Sequence, residues 1–213
     1  MIVFYRVSPF LSSNPNPLGN NKDLIIEKCL DSFQKTNDIN AEVVFINDSL
    51  SEEWVNKLKK IGKVINSDSG NIETFHKQLD EVCKLPNEEK VLIMEDDYLW
   101  RANTLSLLNS GLDVLDLISP YDHPGHYREE RFTNEPKIIK EINGVIYRTA
   151  PSNTLTFACR AWVIKQNLAL MKSFGIQDND MFQALPIKMW VPTYSFATHL
   201  VTGLLAPNIE WPI

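Results

Sequence analysis

Val91-Leu92-Ile93-Met94-Glu95-Asp96-Asp97-Tyr98-Leu99-Trp100 decides how this chain reads. Four consecutive apolar residues mark a strand buried on both faces, as in a parallel sheet held between helix layers. The three carboxylates that follow cannot stay ionised inside a core, so they belong where the strand emerges. In an open α/β sheet, the carboxyl ends of the strands are where ligands bind. Alternation along a strand sets Glu95 and Asp97 on one side and Asp96 on the other. Two hard oxygen donors side by side suit Mg2+ or Mn2+. The plain alternative is a solvated acidic turn, because short motifs also match by chance.

Outward from this stretch, the preceding residues alternate between β and α. Residues 2–7 read as a strand, and residues 8–21 as a loop broken by Pro9, Pro15, Pro17 and Gly19. Asp23 is the expected N-cap of a helix with Leu24, Ile25, Cys29, Leu30 and Phe33 on one face. Residues 41–46 form a second strand ending in Asn47-Asp48. Ser51 opens a helix that turns Trp54, Val55 and Leu58 inward. A short strand over 63–66 and a helix over 72–85 complete the pattern, which predicts a parallel sheet wrapped by helices.

The second half is mixed. Residues 105–112 read as a helix and 114–119 as a strand. Residues 120–136 are polar and read as a long surface loop with few apolar anchors, expected to be mobile and to lie over the cleft. Asn143-Gly144, flanked by apolar residues, is a type I′ hairpin signal. Further strands are expected over 153–159 and 190–196, and helices over 161–171 and 178–185. No stretch is rich enough in Gly or Ser to separate domains. Residues 1–213 therefore read as one domain, with a nucleotide-type front half over 1–100 and a mixed back half over 101–213.

Composition narrows the function classes. The 213 residues are 44% hydrophobic and 23% charged, as in a soluble globular protein. A net charge of -6 argues against a nucleic-acid partner held by phosphate contacts. It does not argue against a nucleotide, whose diphosphate a divalent cation can screen. Cys29, Cys83 and Cys159 are odd in number and lie in apolar segments, which fits buried thiols in a reducing compartment. No apolar run approaches the ~20 residues of a membrane span. Arg6 and Pro9 stand where a signal peptide needs its apolar core, so a cytoplasmic location is expected.

The expected topology sets Arg6 and Ser8, Asn47 and Asp48, and the acidic triplet along one crevice. Gly70 opens the helix after the third strand, where an anion can approach closely. No Gly-x-Gly-x-x-Gly or P-loop occurs. At this point the sequence resembles the glycosyltransferases of GT-A fold, most closely small family 2-like members of bacterial and viral type. The resemblance is carried by Asp48 after the second strand, Glu95-Asp96-Asp97-Tyr98-Leu99 after the fourth, Tyr121-Asp122-His123-Pro124, and residues 154–158. Asp178 before a short helix and Ala197-Thr198-His199 complete it. It departs from the Asp-x-Asp pattern in beginning with Glu95.

The resemblance implies an α/β fold with a mixed, mostly parallel sheet, helices on both faces and a β-hairpin region in the C-terminal half. It implies metal-dependent transfer of a sugar from a nucleotide-sugar, a UDP-sugar being the commonest donor, to a glycan or other hydroxyl acceptor with inversion. Asp97, Glu95 and His199 are then the expected ligands of Mn2+, with Mg2+ the alternative. Arg6, Ser8, Asp48, Gly70 and Asp96 are expected around the nucleotide. Asp178 is the expected general base, with Asp180 as runner-up.

Bland readings compete with each assignment. Arg6 can be an edge charge, Asp48 a helix cap, His199 a core histidine and Asp178 a charge favoured at a helix start. A nucleotidyltransferase uses a similar acidic site but wants a Gly-rich, basic loop after the first strand. Here that loop is rich in Pro and uncharged until Lys22. A non-catalytic nucleotide- or glycan-binding module would not need Asp178.

Overall fold

The strand ahead of the acidic triplet, Lys90–Met94, is β4 of a chain that alternates β and α up to that point. In a computed structural model describing residues 1–213, the preceding elements are β1 (Ile2–Val7), α1 (Lys22–Thr36), β2 (Glu42–Asn47), α2 (Glu52–Leu58), β3 (Lys63–Asn66) and α3 (Asn71–Val82). After it come β5 (Tyr98–Trp100), α4 (Leu105–Gly111), β6 (Leu117–Ile118), α5 (Gly125–Arg128), α6 (Glu130–Thr133), β7 (Ile139–Ile142) and β8 (Val145–Ala150). The chain finishes with β9 (Phe157–Arg160), α7 (Ala161–Phe174), α8 (Asp178–Ala184), β10 (Met189–Pro192) and β11 (Ala197–His199).

Nine strands form one sheet in the order β3-β2-β1-β4-β9-β6-β10-β8-β7. β3, β2, β1 and β4 are parallel neighbours; β9 and β8 run against the rest. Both faces are covered. Val3, Tyr5, Val7, Val43, Phe45, Leu92 and Met94 pack into one core layer. Their alternates Phe4, Val44, Ile46, Val91 and Ile93 pack into the other, with Phe75 and Leu79 of α3. Period-2 alternation with no polar face is what a sheet between two helix layers requires. No helix is long and apolar enough to cross a membrane.

Local chemistry accounts for the departures from the sequence-based expectations. Asn21, not Asp23, caps α1, accepting the Leu24 amide at 3.2 Å; Asp23 instead accepts Trp54 Nε1–H at 2.7 Å. The expected strand over 114–119 shrinks to Leu117–Ile118, because the Val114 and Leu115 amides close the end of α4 on the Gly111 carbonyl. The hairpin turn is as expected: Asn143 and Gly144 have φ of 51° and 76°, the left-handed pair of a type I′ turn. Residues 120–136 are not a loosely anchored loop. Tyr121, Asp122, His126 and Phe132 are buried there, and α5 and α6 lie within it.

Candidate active site

β4 stops at Met94, and residues 95–97 turn away. The strand alternation expected for the three carboxylates stops with it. All three line one cavity of about 540 Å³ at the carboxyl ends of the parallel strands. The cavity also takes in Arg6, Ser8, Lys22, Asp48, Asn71, Thr154, Asp178 and His199, with Phe10, Leu11, Ser12 and Ser13 from the loop after β1. None of its lining comes from residues 121–136; Tyr121 of that segment packs edge-on against the His199 ring from outside the cavity.

Each carboxylate of the triplet meets a cation from a different element. Arg6, near the end of β1, donates Nη2–H to Glu95 Oε1 at 2.5 Å and Nη1–H to the Asn71 carbonyl at 2.6 Å. Lys22, in the first turn of α1, donates to Asp96 Oδ1 at 2.7 Å, while the Ser8 amide donates to Asp96 Oδ2 at 2.8 Å. His199 Nε2 lies 3.0 Å from Asp97 Oδ2. Asp97 Oδ1 is buried with no hydrogen-bond partner. A buried carboxylate oxygen without a donor is costly unless something else meets its charge.

His199 reaches this place through a two-stranded ladder. β11 pairs antiparallel with β5, setting His199 opposite Tyr98, and the Leu200 amide closes on the Asp97 carbonyl at 2.8 Å. The imidazole stacks on the Tyr98 ring with centroids 5.0 Å apart and planes 2° from parallel. The Tyr98 hydroxyl in turn meets Thr154 Oγ1, fixing the ring from below.

Burial pushes Glu95 and Asp96 above the usual carboxylate range, with Arg6 and Lys22 pulling each back part of the way. Burial acts on Asp97 in the same direction, but the charge and hydrogen bond of His199, joined by Lys22 and Arg6, together hold Asp97 low. Burial also opposes a charge on His199. Asp97, then Glu95 and Asp178, more than offset this and lift the imidazole to about 9. At neutral pH the pair is imidazolium and carboxylate.

Asp48 is buried at the end of β2, and its Oδ1 accepts the Gly70 amide at 3.1 Å. Gly70 itself does not line the cavity; the residue after it, Asn71, does. The amide expected to face an anion thus orients Asp48 instead. Asp178 is the first residue of α8 and faces the cavity. Burial raises its pKa, outweighing the Asn179 amide and His199, which pull it down. Asp180 is exposed, outside the lining, and accepts Asn179 Nδ2–H at 3.0 Å.

Sequence reasoning gave no site role to Lys22, Asn71, Thr74 or Thr154, all of which line the cavity. Lys22 carried a signal: a cation in the first turn of a helix opposes the macrodipole and asks for an anion nearby. No three His, Cys, Asp or Glu side chains converge as a ready-made metal centre. Glu95, expected beside Asp97 and His199, is turned to Arg6.

Behind the cavity lies a second buried polar cluster. Asp122 forms an ion pair with Arg148 and accepts the Tyr127 hydroxyl at 2.5 Å. Arg148 Nη2 also donates to His126 Nδ1 at 3.1 Å, and His126 Nε2 donates to the Ser152 carbonyl at 2.8 Å, which fixes the tautomer. Ser152 Oγ donates to Asn179 Oδ1 at 2.8 Å and so holds the residue next to Asp178.

No family model matches the chain, and no curated protein matches it. Solved structures do. A structure of S. aureus TarS 1-349 matches 89% of this chain at 17% identity with a TM-score of 0.54. GalNAc-T7, solved with UDP, GalNAc and Mn2+, matches 93% at 13% identity and 0.59. The galactosyltransferase LgtC, solved with donor and acceptor sugar analogs, matches 88% at 12% identity and 0.55. The chain spans 57% of the TarS fragment, 43% of the GalNAc-T7 chain and 71% of LgtC. With its mainly parallel sheet covered by helices on both faces, this chain has the GT-A type of fold that these glycosyltransferases share.

Proposed function

We propose that the chain is a metal-dependent glycosyltransferase that moves a sugar from a UDP-linked donor to a hydroxyl acceptor with inversion. One observation carries this reading. A single cavity gathers Arg6, Ser8, Asp48, the acidic triplet, His199 and Asp178 at the strand ends where α/β sheets take ligands. The fold likeness to LgtC and to GalNAc-T7 with UDP, GalNAc and Mn2+ supports it.

The donor set fits a divalent cation, because Asp97 Oδ1 is buried without a partner and His199 Nε2 stands against the same carboxylate. One imidazole among carboxylates favours Mn2+ over Mg2+. Asp97 and His199 would hold the cation, the imidazole giving up its Nε2 proton as the cation enters, with Glu95 as third ligand. When bound it supplies Lewis-acid stabilisation to the departing diphosphate. Asp48, oriented by the Gly70 amide, accepts from the ribose or base, and Arg6 and Ser8 border the base pocket. Asp178 takes the proton of the acceptor hydroxyl, and its raised pKa makes it a stronger base than a free carboxylate. In this scheme residues 1–100 serve the donor, with His199 added from the second half, and the rest of 101–213 serves the acceptor.

The test is nucleoside diphosphate release with Mn2+, a panel of nucleotide-sugars and simple glycan acceptors. Release that needs both Mn2+ and a UDP-sugar is expected. Neither turnover nor Mn2+-dependent UDP binding across the panel would overturn the reading.

A further inference from the structure

Arg6 and Lys22 neutralise adjacent carboxylates but are held very differently. Arg6 is a fixed strut: its guanidinium meets Glu95, the Asn71 carbonyl and the Asn71 side chain at once. Lys22 makes one side-chain hydrogen bond, to Asp96 Oδ1 at 2.7 Å, and leaves the remaining donors of its ammonium unused on a flexible four-carbon stem. Its side chain is 12% exposed and faces the cavity. It stands at the positive end of the fifteen-residue α1, where a cation is unfavourable unless an anion answers it. Beside this pair, Asp97 Oδ1 is buried and unanswered.

We infer that Lys22 is an exchangeable counter-ion that makes the cation and the nucleoside diphosphate bind with positive coupling. This rests on the nucleotide-sugar reading of the cavity. Without ligand, the Lys22 ammonium answers Asp96 and repels a divalent cation from the acidic turn. A diphosphate entering the cavity offers that ammonium a second anion. As Lys22 moves to the phosphate oxygens, the Asp96 carboxylate is released to a cation beside Asp97. Asp96 keeps its bond from the Ser8 amide, so its position survives the exchange. Arg6 stays in place, because three acceptors on two elements hold it. Each ligand therefore favours the other through one side chain, and by linkage the coupling is reciprocal.

The test is calorimetry of Mn2+ alone, and of UDP at saturating Mn2+, on the original protein and on Lys22→Met, a neutral side chain of similar length. Lys22→Gln serves as second variant should Lys22→Met not fold. Removing one positive charge a few ångströms from the site shifts affinity by about tenfold at the water-like dielectric of an open cavity, and by more at that of a protein surface. Mn2+ alone is expected to bind the variant about tenfold more tightly, while UDP with Mn2+ binds about tenfold more weakly. Opposite signs are the signature. If both affinities fall together, or Mn2+ binding is unchanged, Lys22 only staples α1 to the acidic turn and the inference is overturned while the nucleotide-sugar reading stands. If the original protein binds neither Mn2+ nor UDP, both fall.

Discussion

His199 Nε2 stands 3.0 Å from Asp97 Oδ2, although 102 positions separate the two residues. The contact depends on the register of β5 against β11, which sets His199 opposite Tyr98, next to Asp97. It raises the imidazole pKa and lowers that of the carboxylate, and leaves Asp97 Oδ1 as the unanswered oxygen of the site. Replacing Asp97 by Asn removes the main influence that raises His199, leaving only Glu95 and Asp178 to oppose burial. The His199 pKa, followed by NMR titration, is expected to fall well below about 9. Mn2+-dependent UDP binding is lost in the same variant while its melting temperature changes little. A titration that stays near 9 would dissolve the pair.

Asp178 and Asp180 are two residues apart on α8 but face different surroundings. Asp178→Asn is expected to slow sugar transfer by ~10²–10⁴-fold, the usual cost of losing a general base, with Mn2+ and UDP binding retained. Asp180→Asn, on the exposed side, changes the rate less than about threefold by the same reasoning. Because burial raises the Asp178 pKa, the acid limb of kcat/KM lies above the ordinary carboxylate range. Comparable rates for Asp178→Asn and the original enzyme would remove it from the chemistry.

His123 is held neutral by the fold. Burial, then the neighbouring His126, push its pKa down to about 4, and its Nδ1 accepts the Gly125 amide at 2.9 Å. The unfolded chain binds that proton near pH 6.5. The stability this group contributes is therefore complete above pH 6.5 and is lost as pH falls toward 4. Thermal melts at pH 7 and pH 4.5 are expected to converge more closely for His123→Gln than for the original protein. Equal acid sensitivity in the two would contradict the assignment.

Asp122 and Arg148 form a fully buried ion pair, with exposures of 0% and 4%. Removing one member leaves a charge buried without its partner, at a cost of about 3–5 kcal/mol. Asp122→Ala should show this loss in urea unfolding. Asp116→Ala, at an exposed position, stays within about 0.5 kcal/mol. A small effect at Asp122 would mean that water reaches Arg148.

The sequence by itself determined the elements and their faces. Alternate apolar residues of β1, β2 and β4 enter opposite core layers because side chains alternate along any strand, whatever it pairs with. Asn143-Gly144 fixed its turn because only certain residues accept two successive positive φ values. The acidic turn was legible because three carboxylates cannot follow a buried strand into a core. Tertiary structure decided who meets whom. Nothing local states that antiparallel β9 pairs with β4, or that residues 121–136 bury Tyr121 and Asp122 rather than float over the cleft. The pairings of Glu95 with Arg6, Asp96 with Lys22 and Asp97 with His199 join elements far apart in the chain. Local periodicity reports the faces of an element, but an ion pair needs the positions of two elements, and these follow from strand order and register across the whole sheet.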